Sequence, residues 1–272
     1  MTINASNNAI VNYKSFSILQ NESVVINLPS TDSQILNRVT GPDMSHIAGS
    51  LTSNGIIVLV NPNGIYVAPT GRINAASAIL ATRNITNEHF ISGQYIFTKI
   101  NQATLDKLLV NEGAITVANG GFAVLIAGAI ENKGLITAKY GTIALAAGNA
   151  VRLELAGNRL IGIAVTEEVK DLVVDHQGNQ VYDQIKNTGT LDAEGGHVIL
   201  QAKSVEKLFQ RLINTEGIIK ATRLETKDGK VEFVANGPVN LQGAIRATDI
   251  QVGDFPQNIV PNTIIIQKET IL

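Results

Sequence analysis

The sequence predicts an all-β fold and, within that class, a parallel β-helix, in which the chain winds into stacked coils. Runs in which apolar and polar residues alternate over five to seven positions recur along the chain, and such runs are typical of strands rather than helices. Two glycine-containing patterns repeat, with Gly113 and Gly134 21 residues apart, as one coil of a solenoid requires. The connections between the patterns are too short to hold the helix of a βαβ unit.

The two repeated patterns alternate, so each pair of patterns is interpreted as one coil that rises by about 4.8 Å, the spacing of neighbouring strands. The first pattern, Asn-x-Gly-x-apolar, begins at Asn111, Asn132, Asn187 and, with one residue inserted, Asn214. The second, Gly-x-apolar-x-apolar, begins at Gly121, Gly141, Gly196 and Gly229. A further copy of the first pattern at Gly71 precedes Gly113 by 42 residues, which the sequence alone suggests is two coils.

The apolar positions of the repeats are expected to face inward and to stack from coil to coil. These positions are Ile115, Ile136 and Leu191 in the first pattern, and Ile143 with Val198 and Leu145 with Leu200 in the second. The asparagines that begin the first pattern are expected to form one column at a corner, where their amides would make a hydrogen-bonded ladder. That ladder is predicted for Asn111, Asn132, Asn187 and Asn214.

A tight turn is predicted at Asn61-Pro62-Asn63-Gly64, between two apolar runs at 56–60 and 65–68. Proline suits the second position of a type I turn, asparagine tolerates the third, and glycine accepts the backbone of the fourth. A proline inside a four-residue corner fits a solenoid bend better than a two-residue hairpin loop.

Other segments interrupt the repeat and are predicted to lie on the surface of the solenoid, as insertions usually do. Residues 1–37 are interpreted as early coils or a cap, and 165–186 as an insertion with a turn at Asp175. A helical turn is predicted over 104–109 with Thr104 as N-cap, and a short helix over 204–212. A strand-like run follows at 263–267.

The amino-acid composition excludes several classes of function for this chain. The 272 residues include 21 basic and 23 acidic side chains, a balance that argues against nucleic acid as a partner. Cysteine is absent, which excludes disulfides and thiolate metal sites. The four histidines have no metal spacing, and the acidic residues Glu154, Asp192 and Glu232 are isolated rather than paired. We therefore expect no enzyme activity, no metal and no cofactor.

A combination of short motifs resembles the filamentous haemagglutinin-type secretion domain of two-partner secretion exoproteins. The motifs are Asn37, Arg38 and Gly41, then Gly49, then Asn61, Pro62, Asn63 and Gly64, followed by residues 86–93. The resemblance covers residues 1–165 closely, and 166–272 resemble the β-helical continuation of that family. It implies a right-handed parallel β-helix with short helical and extra-helical insertions.

The resemblance also implies a function. Such a domain directs export of an adhesin or haemagglutinin-like exoprotein through a partner outer-membrane barrel transporter with periplasmic POTRA domains. Asn61 to Gly64 match the secretion motif, whereas the family's second motif, Asn-Pro-Asn-Leu, has no counterpart in this sequence. The exoprotein is expected to reach the cell surface or the medium through the periplasm and to contact a host-cell receptor or glycan.

Three points stay open in the sequence. The first twenty residues contain no signal peptide, so we interpret the chain as beginning inside the domain; a cytoplasmic remnant is one alternative. The stalk of a contact-dependent toxin would carry the same kind of domain. A β-helical enzyme acting on glycans is a further alternative, which the isolated carboxylates disfavour.

Overall fold

The protein is a parallel β-helix with one short helix and a small side sheet. The computed structural model describes residues 1–100, 105–224 and 226–253. In these residues the strands are β1 (Thr2–Asn4), β2 (Ala9–Tyr13), β3 (Ser23–Asn27), β4 (Gln34–Val39), β5 (Ser45–Ile47), β6 (Ser50–Ser53), β7 (Ile56–Val60), β8 (Ile65–Val67), β9 (Arg72–Ala75), β10 (Ser77–Ala81), β11 (Tyr95–Thr98), β12 (Asp106–Asn111), β13 (Ala114–Val117), β14 (Phe122–Ala127), β15 (Ala129–Asn132), β16 (Leu135–Thr137), β17 (Thr142–Ala147), β18 (Ala150–Leu155), β19 (Leu160–Glu167), β20 (Val173–Val174), β21 (Asp183–Asn187), β22 (Thr190–Asp192), β23 (His197–Ala202), β24 (Arg211–Thr215), β25 (Ile218–Ala221), β26 (Lys230–Ala235), β27 (Val239–Leu241), β28 (Ala244–Ala247) and β29 (Asp249–Gly253), with helix α1 (Asn87–Ile91) between β10 and β11.

Three parallel sheets form the walls of the solenoid. Sheet A runs β1-β3-β6-β9-β13-β16-β22-β25-β28, and sheet B runs β2-β4-β7-β10-β14-β17-β23-β26-β29. Sheet C runs β5-β8-β12-β15-β21-β24-β27, with β20 pairing to β12. The chain passes from A to B to C and back to A, so each coil contributes one strand to each wall. All three sheets run through both segments, 1–165 and 166–272, that the sequence distinguishes.

The inside of the solenoid is a stack of aliphatic side chains, as predicted. In sheet A, Ile115 pairs with Ile136, and Ile136 with Leu191. The full column is Val24, Leu51, Ile73, Ile115, Ile136, Leu191, Ile219 and Ile245. In sheet B the predicted pairs Ile143–Val198 and Leu145–Leu200 also form. Burial of each such side chain stabilises the fold by about 1.5–3 kcal/mol. The predicted parallel β-helix is confirmed by the parallel sheets and by these columns.

The coil length is less regular than the sequence suggested. Ile73 lies directly beside Ile115, so the 42 residues from Gly71 to Gly113 make one coil and not two. The additional residues form an excursion that leaves the solenoid after β10 and returns at β12. A second excursion leaves after β17 and returns at β21. Both begin at the corner between sheets B and C.

The excursions build a second hydrophobic core outside sheet B. Strands β11, β18 and β19 form an antiparallel side sheet, and α1 packs beside it. Phe90, Phe97 and Phe122 are fully buried in this outer core. The strands of sheet B that this outer core covers are therefore buried on both faces. This explains why β7 and β14 are continuous apolar runs, and why β10 and β17 are apolar after their first residue.

Two predicted helices are wrong. Residues 106–109 of the first belong to strand β12, because Asp106 and Lys107 pair with β20 and the following residues pair with sheet C. The predicted cap Thr104 lies outside the described residues, as does the strand-like run 263–267. In the second segment, residues 204–210 form an irregular loop and 211–212 begin β24; Phe209 and Leu212 are buried against the solenoid interior. No helix in the described part of the chain is long and apolar enough to span a membrane.

Candidate functional site

The Asn61-Pro62-Asn63-Gly64 segment is a corner that carries the chain from sheet B to sheet C. The N–H of Gly64 donates to the carbonyl of Asn61 at 3.1 Å, which closes a β-turn. Gly64 has a φ of 112°, a backbone conformation that favours glycine. The N–H of Asn63 also donates to Oδ1 of Asn61 at 2.9 Å. The predicted turn is therefore present as a solenoid bend and not as a hairpin.

The two asparagines of this corner fasten it to the preceding coil. Nδ2 of Asn61 donates to the carbonyl of Asp43 at 2.9 Å and to the hydroxyl of Ser45 at 3.0 Å. Nδ2 of Asn63 donates to the carbonyl of Gly41 at 2.7 Å. Asn61 is fully buried, so its hydrogen bonds replace water that the amide has lost. Side-chain hydrogen bonds to the preceding coil thus hold the corner in place.

Gly41 and Gly49 are required where two coils approach closely. A Cβ on Gly41 would lie 2.1 Å from the carbonyl oxygen of Lys14. A Cβ on Gly49 would lie 2.2 Å from the carbonyl oxygen of Leu19. Both positions therefore fix the packing of the first coils, in keeping with the structural role that the resemblance implied.

Arg38 connects the first excursion to the solenoid. Its Nε donates to Oδ1 of Asn84 at 3.0 Å, its Nη1 to Oδ1 of Asn87 at 2.7 Å, and its Nη2 to the carbonyl of Ile85 at 2.6 Å. The acceptors that bind this guanidinium among the described residues are all neutral. Burial lowers the pKa of Arg38 from its ordinary value, but arginine remains charged. The positive charge is held in place without being neutralised.

Asn37 lies inside the solenoid rather than at the corner. It occupies an inward column between Val11 and Leu59 and is 1% exposed. Its Oδ1 accepts a hydrogen bond from the Tyr13 hydroxyl at 3.1 Å. Its Nδ2 has no partner among the described residues. This residue therefore contributes to the interior of the first coils.

A cleft of about 830 Å³ opens beside the corner and brings four of the sequence-predicted residues together. Arg38, Gly41, Pro62 and Asn63 line it, whereas Asn37, Gly49, Asn61 and Gly64 do not. The other lining residues are Val39, Thr40, Pro42, Asn84, Ile100, Leu105 and Lys107. None of these described residues is a carboxylate or a histidine, and they present basic, amide and apolar groups to the cleft.

Sequence reasoning missed the far wall of this cleft. Ile100 and Leu105 are 59% and 57% exposed, and Lys107 lies beside them. These residues reach the corner only because the excursion folds back onto sheet C at β12. The buried pair Arg83 and Asp106, whose charged atoms lie 2.5 Å apart, holds that return. Residues 82–110 are largely polar and have no periodicity, so the sequence predicted neither this wall of the cleft nor the ion pair.

The asparagine row lies at another corner, where sheet C passes to sheet A. Nδ2 of Asn111 donates to Oδ1 of Asn132 at 2.8 Å, and Nδ2 of Asn132 donates to Oδ1 of Asn187 at 2.8 Å. Asn214 does not continue the row. Thr215 lies beside Asn187 in the next coil, and its hydroxyl accepts a hydrogen bond from Nδ2 of Asn187 at 3.2 Å. This happens because the inserted residue shifts the register by one.

Asn214 instead takes part in a neighbouring set of bonds. Its Nδ2 donates to Oδ2 of Asp183 at 2.8 Å, and its Oδ1 accepts from Asn240 at 2.7 Å. No group of three or more histidines and carboxylates is placed to hold a metal ion in the part of the chain that the structure describes.

Comparison with known proteins agrees with this architecture. The family model described as TPS secretion domain, where TPS stands for two-partner secretion, matches residues 1–254. The chain belongs to this family. The HMW1 secretion domain from Haemophilus influenzae, a solved structure of the same kind, aligns with this TPS secretion domain at a TM-score of 0.67 and 25% identity, covering 92% of this chain and 68% of that one.

Further relatives are larger proteins. The heme/hemopexin-binding protein of Haemophilus influenzae is 30% identical over 275 residues, covering 90% of this chain and 28% of the relative. The protein of that name from strain ATCC 51907 / DSM 11121 / KW20 / Rd is 29% identical over 231 residues, covering 83% and 24%. A filamentous hemagglutinin secretion domain aligns with a TM-score of 0.43 and 16% identity over 92% of this chain and 88% of that one. This TPS secretion domain thus spans about a quarter of the length of the curated relatives.

The family assignment establishes the general function. A TPS secretion domain directs export of the exoprotein that carries it, in partnership with an outer-membrane transporter. The exoprotein passes through the periplasm and the outer membrane and is secreted or held at the cell surface. The family is one of secretion domains of adhesin-like exoproteins rather than one defined by an enzyme activity.

Proposed function

We propose that the cleft beside Asn61-Pro62-Asn63-Gly64 is the surface that the periplasmic POTRA domains of the partner transporter recognise. The observation that carries the proposal is the convergence of Arg38, Pro62 and Asn63 on one cleft, although they come from two coils. Residues that served only the stacking of coils would not need to share an exposed wall.

The chemistry of the cleft indicates the kind of segment that it binds. Arg38 and Lys107 supply positive charge, and the described lining has no carboxylate to neutralise it. Ile100 and Leu105 offer exposed apolar side chains, which commonly anchor protein interfaces. The complement is a partner segment that has an acidic group beside an apolar one. Charge complementarity of this kind mainly raises the association rate.

The fold also suits export through a narrow pore. Each coil contacts only its neighbours, so folding can begin at one end and propagate. We expect coils that fold outside the outer membrane to bias transport outward. The exported protein is proposed to be an adhesin-like exoprotein that binds a host receptor or glycan. The relatives named for heme and hemopexin binding support a host ligand for it in general terms.

Paired measurements of export and stability test the recognition surface. Lys107→Gln and Pro62→Ala change the cleft without removing a hydrogen bond of the corner, whereas Asn63→Ala removes its bond to Gly41. Lys186→Gln on sheet C is the control, because Lys186 is a partly exposed lysine outside the cleft. Export is the secreted fraction of the full exoprotein in cells that carry the transporter. Stability is the urea midpoint of the purified chain.

We expect Lys107→Gln and Pro62→Ala to reduce export several-fold with little change in the midpoint, and Lys186→Gln to change neither. Asn63→Ala should lower both export and the midpoint. Unchanged export in both Asn63→Ala and Lys107→Gln would show that the transporter does not recognise this cleft. An unchanged midpoint in Asn63→Ala would instead show that its amide does not hold the corner.

A further inference from the structure

A second cleft lies at the corner between sheets A and B, away from the proposed transporter surface. It has a volume of about 370 Å³ and opens to solvent. Tyr140, Arg159, His197 and Lys227 line it with backbone from several glycines. Neither the repeat pattern nor the export function accounts for this group of side chains, which come from four separate parts of the chain.

Tyr140 occupies a backbone position that the neighbouring coils give to glycine. Gly120 has a φ of 83°, Tyr140 of 56° and Gly195 of 71°. The three form one column, because Gly120 N–H donates to the carbonyl of Lys139 and Tyr140 N–H to that of Glu194. A left-handed conformation is uncommon and unfavourable for a large side chain. The backbone of this turn needs only glycine, so it does not by itself account for the tyrosine side chain.

The ring of Tyr140 is placed against the next coil at the mouth of the cleft. A Cβ built on Gly195 would lie 2.8 Å from Cδ1 of Tyr140, so the ring covers that glycine. Nζ of Lys227 lies 5.8 Å from the ring centroid, within reach of a cation–π contact. The cleft therefore combines a flat aromatic wall with a cation beside it.

Among the described residues that line the cleft, positive side chains outnumber negative ones. Asp228, which also lines it, is paired with Arg223 at 2.6 Å. Among the described residues no carboxylate forms an ion pair with Arg159 or Lys227. Burial lowers the pKa of His197, and the nearby Lys230 lowers it further, so its imidazole is neutral near pH 7 and can donate or accept a hydrogen bond.

We infer that this cleft binds an acidic sugar unit of a polysaccharide. The sugar ring packs on Tyr140, and its carboxylate or sulfate lies between Arg159 and Lys227. Arginine suits this role because its planar group matches the oxygens of such anions. The volume is at the lower end of the range for small-ligand sites, which fits one monosaccharide rather than a longer segment.

The position of Tyr140 gives a discriminating variant. Tyr140→Gly restores the residue type of the coils on either side and removes left-handed strain, so the fold should be kept or slightly stabilised. If the ring is present for a ligand, binding falls at least tenfold while the melting temperature is unchanged or higher. A fall in melting temperature with unchanged binding would assign the ring to packing and overturn the inference.

Calorimetric titration of the full chain supplies the binding measurement. The probes are tetrasaccharides of hyaluronan, which carries carboxylates, and of chondroitin sulfate, with neutral cellotetraose and inorganic sulfate for comparison. We expect at least one acidic tetrasaccharide to bind, and cellotetraose and sulfate alone to bind at least tenfold more weakly. Equal binding of inorganic sulfate would reduce the site to an anion patch and overturn the sugar assignment.

Arginine variants separate the cleft from the general charge of the surface. Arg159→Gln should weaken binding of the acidic tetrasaccharide at least tenfold. Arg152→Gln is the matched control, since Arg152 is 61% exposed on β18 and outside the cleft. Equal losses in the two variants, or no binding of either acidic probe by the unmodified chain, would refute the site. Neither result depends on recognition by the transporter.

Discussion

The buried ion pair between Arg83 and Asp106 gives the sharpest prediction about stability. Nη1 and Nη2 of Arg83 donate to the two carboxylate oxygens of Asp106 at 2.8 and 2.5 Å, and Nε donates to the carbonyl of Gly148 at 2.7 Å. The side chains are 1% and 3% exposed. Arg83 therefore joins the start of the first excursion, its return at β12, and the start of the second.

Removing the charge of one partner leaves the other buried without compensation. Asp106→Asn should lower the free energy of unfolding by about 3–5 kcal/mol, the range for breaking a buried pair. The variant in which Arg83→Met and Asp106→Leu are combined should lose less than Asp106→Asn, because neither charge then remains in the interior. The exposed Arg223–Asp228 pair is the control, and Asp228→Asn should change stability little.

Urea unfolding followed by circular dichroism measures these differences in the full chain. The single variants Arg83→Met and Asp106→Leu complete a double-mutant cycle, which isolates the interaction between the two side chains. A loss below about 1 kcal/mol in Asp106→Asn, the level of an exposed pair, would refute the reasoning. So would a double variant that is less stable than Asp106→Asn.

Two further predictions concern the asparagine row and the histidine of the second cleft. Asn132→Ala leaves Nδ2 of Asn111 and Oδ1 of Asn187 without the partners that Asn132 supplies, at a cost of about 2–4 kcal/mol by urea unfolding. Asn27→Ala, at an exposed asparagine pair, should cost far less; equal losses would contradict a buried ladder. Burial lowers the pKa of His197 below its ordinary 6.5, so the unfolded chain takes up the proton more readily. The contribution of His197 to stability is then fully present above about pH 6.5 and is lost as the pH falls through the folded pKa. His197→Gln should flatten this part of the pH profile of stability, and an identical profile in the variant would refute the prediction.

The repeat was predictable because the stacking of coils constrains glycine. A Cβ on Gly134 or Gly189 would lie 2.1 Å from a carbonyl oxygen of the adjacent coil, so glycine recurs once per coil at this corner. The inward column follows from alternation, since a strand slipped by one residue would expose its apolar face. These are local requirements, and a single sequence displays them.

The failed helix predictions have a different cause. In 204–212 the apolar residues have helical spacing, but tertiary packing buries Phe209 from an irregular loop and Leu212 from strand β24. The sequence did not predict the helix at Asn87–Ile91, because this helix is one turn long and Phe90 is its only buried residue. Its stability comes from the outer core and from the cap at Thr86, whose hydroxyl accepts from the His89 N–H.

The candidate site was predictable only in part, for a related reason. The corner motif and Arg38 follow from turn chemistry and the family resemblance. Leu105 and Lys107 reach the same cleft because the excursion returns to sheet C beside them. That return depends on contacts between residues far apart in sequence. No periodic pattern encodes such contacts, so the wall of the cleft emerged only from the structure.

Binding of the purified chain to the isolated periplasmic domains of its transporter tests the central claim most directly. Biolayer interferometry would compare the unmodified chain with Lys107→Gln, Pro62→Ala and the control Lys186→Gln. We predict at least tenfold weaker binding for the two cleft variants, unchanged binding for the control, and matching urea midpoints for all four. Equal affinities for the cleft variants and the unmodified chain would contradict recognition at the 61–64 corner.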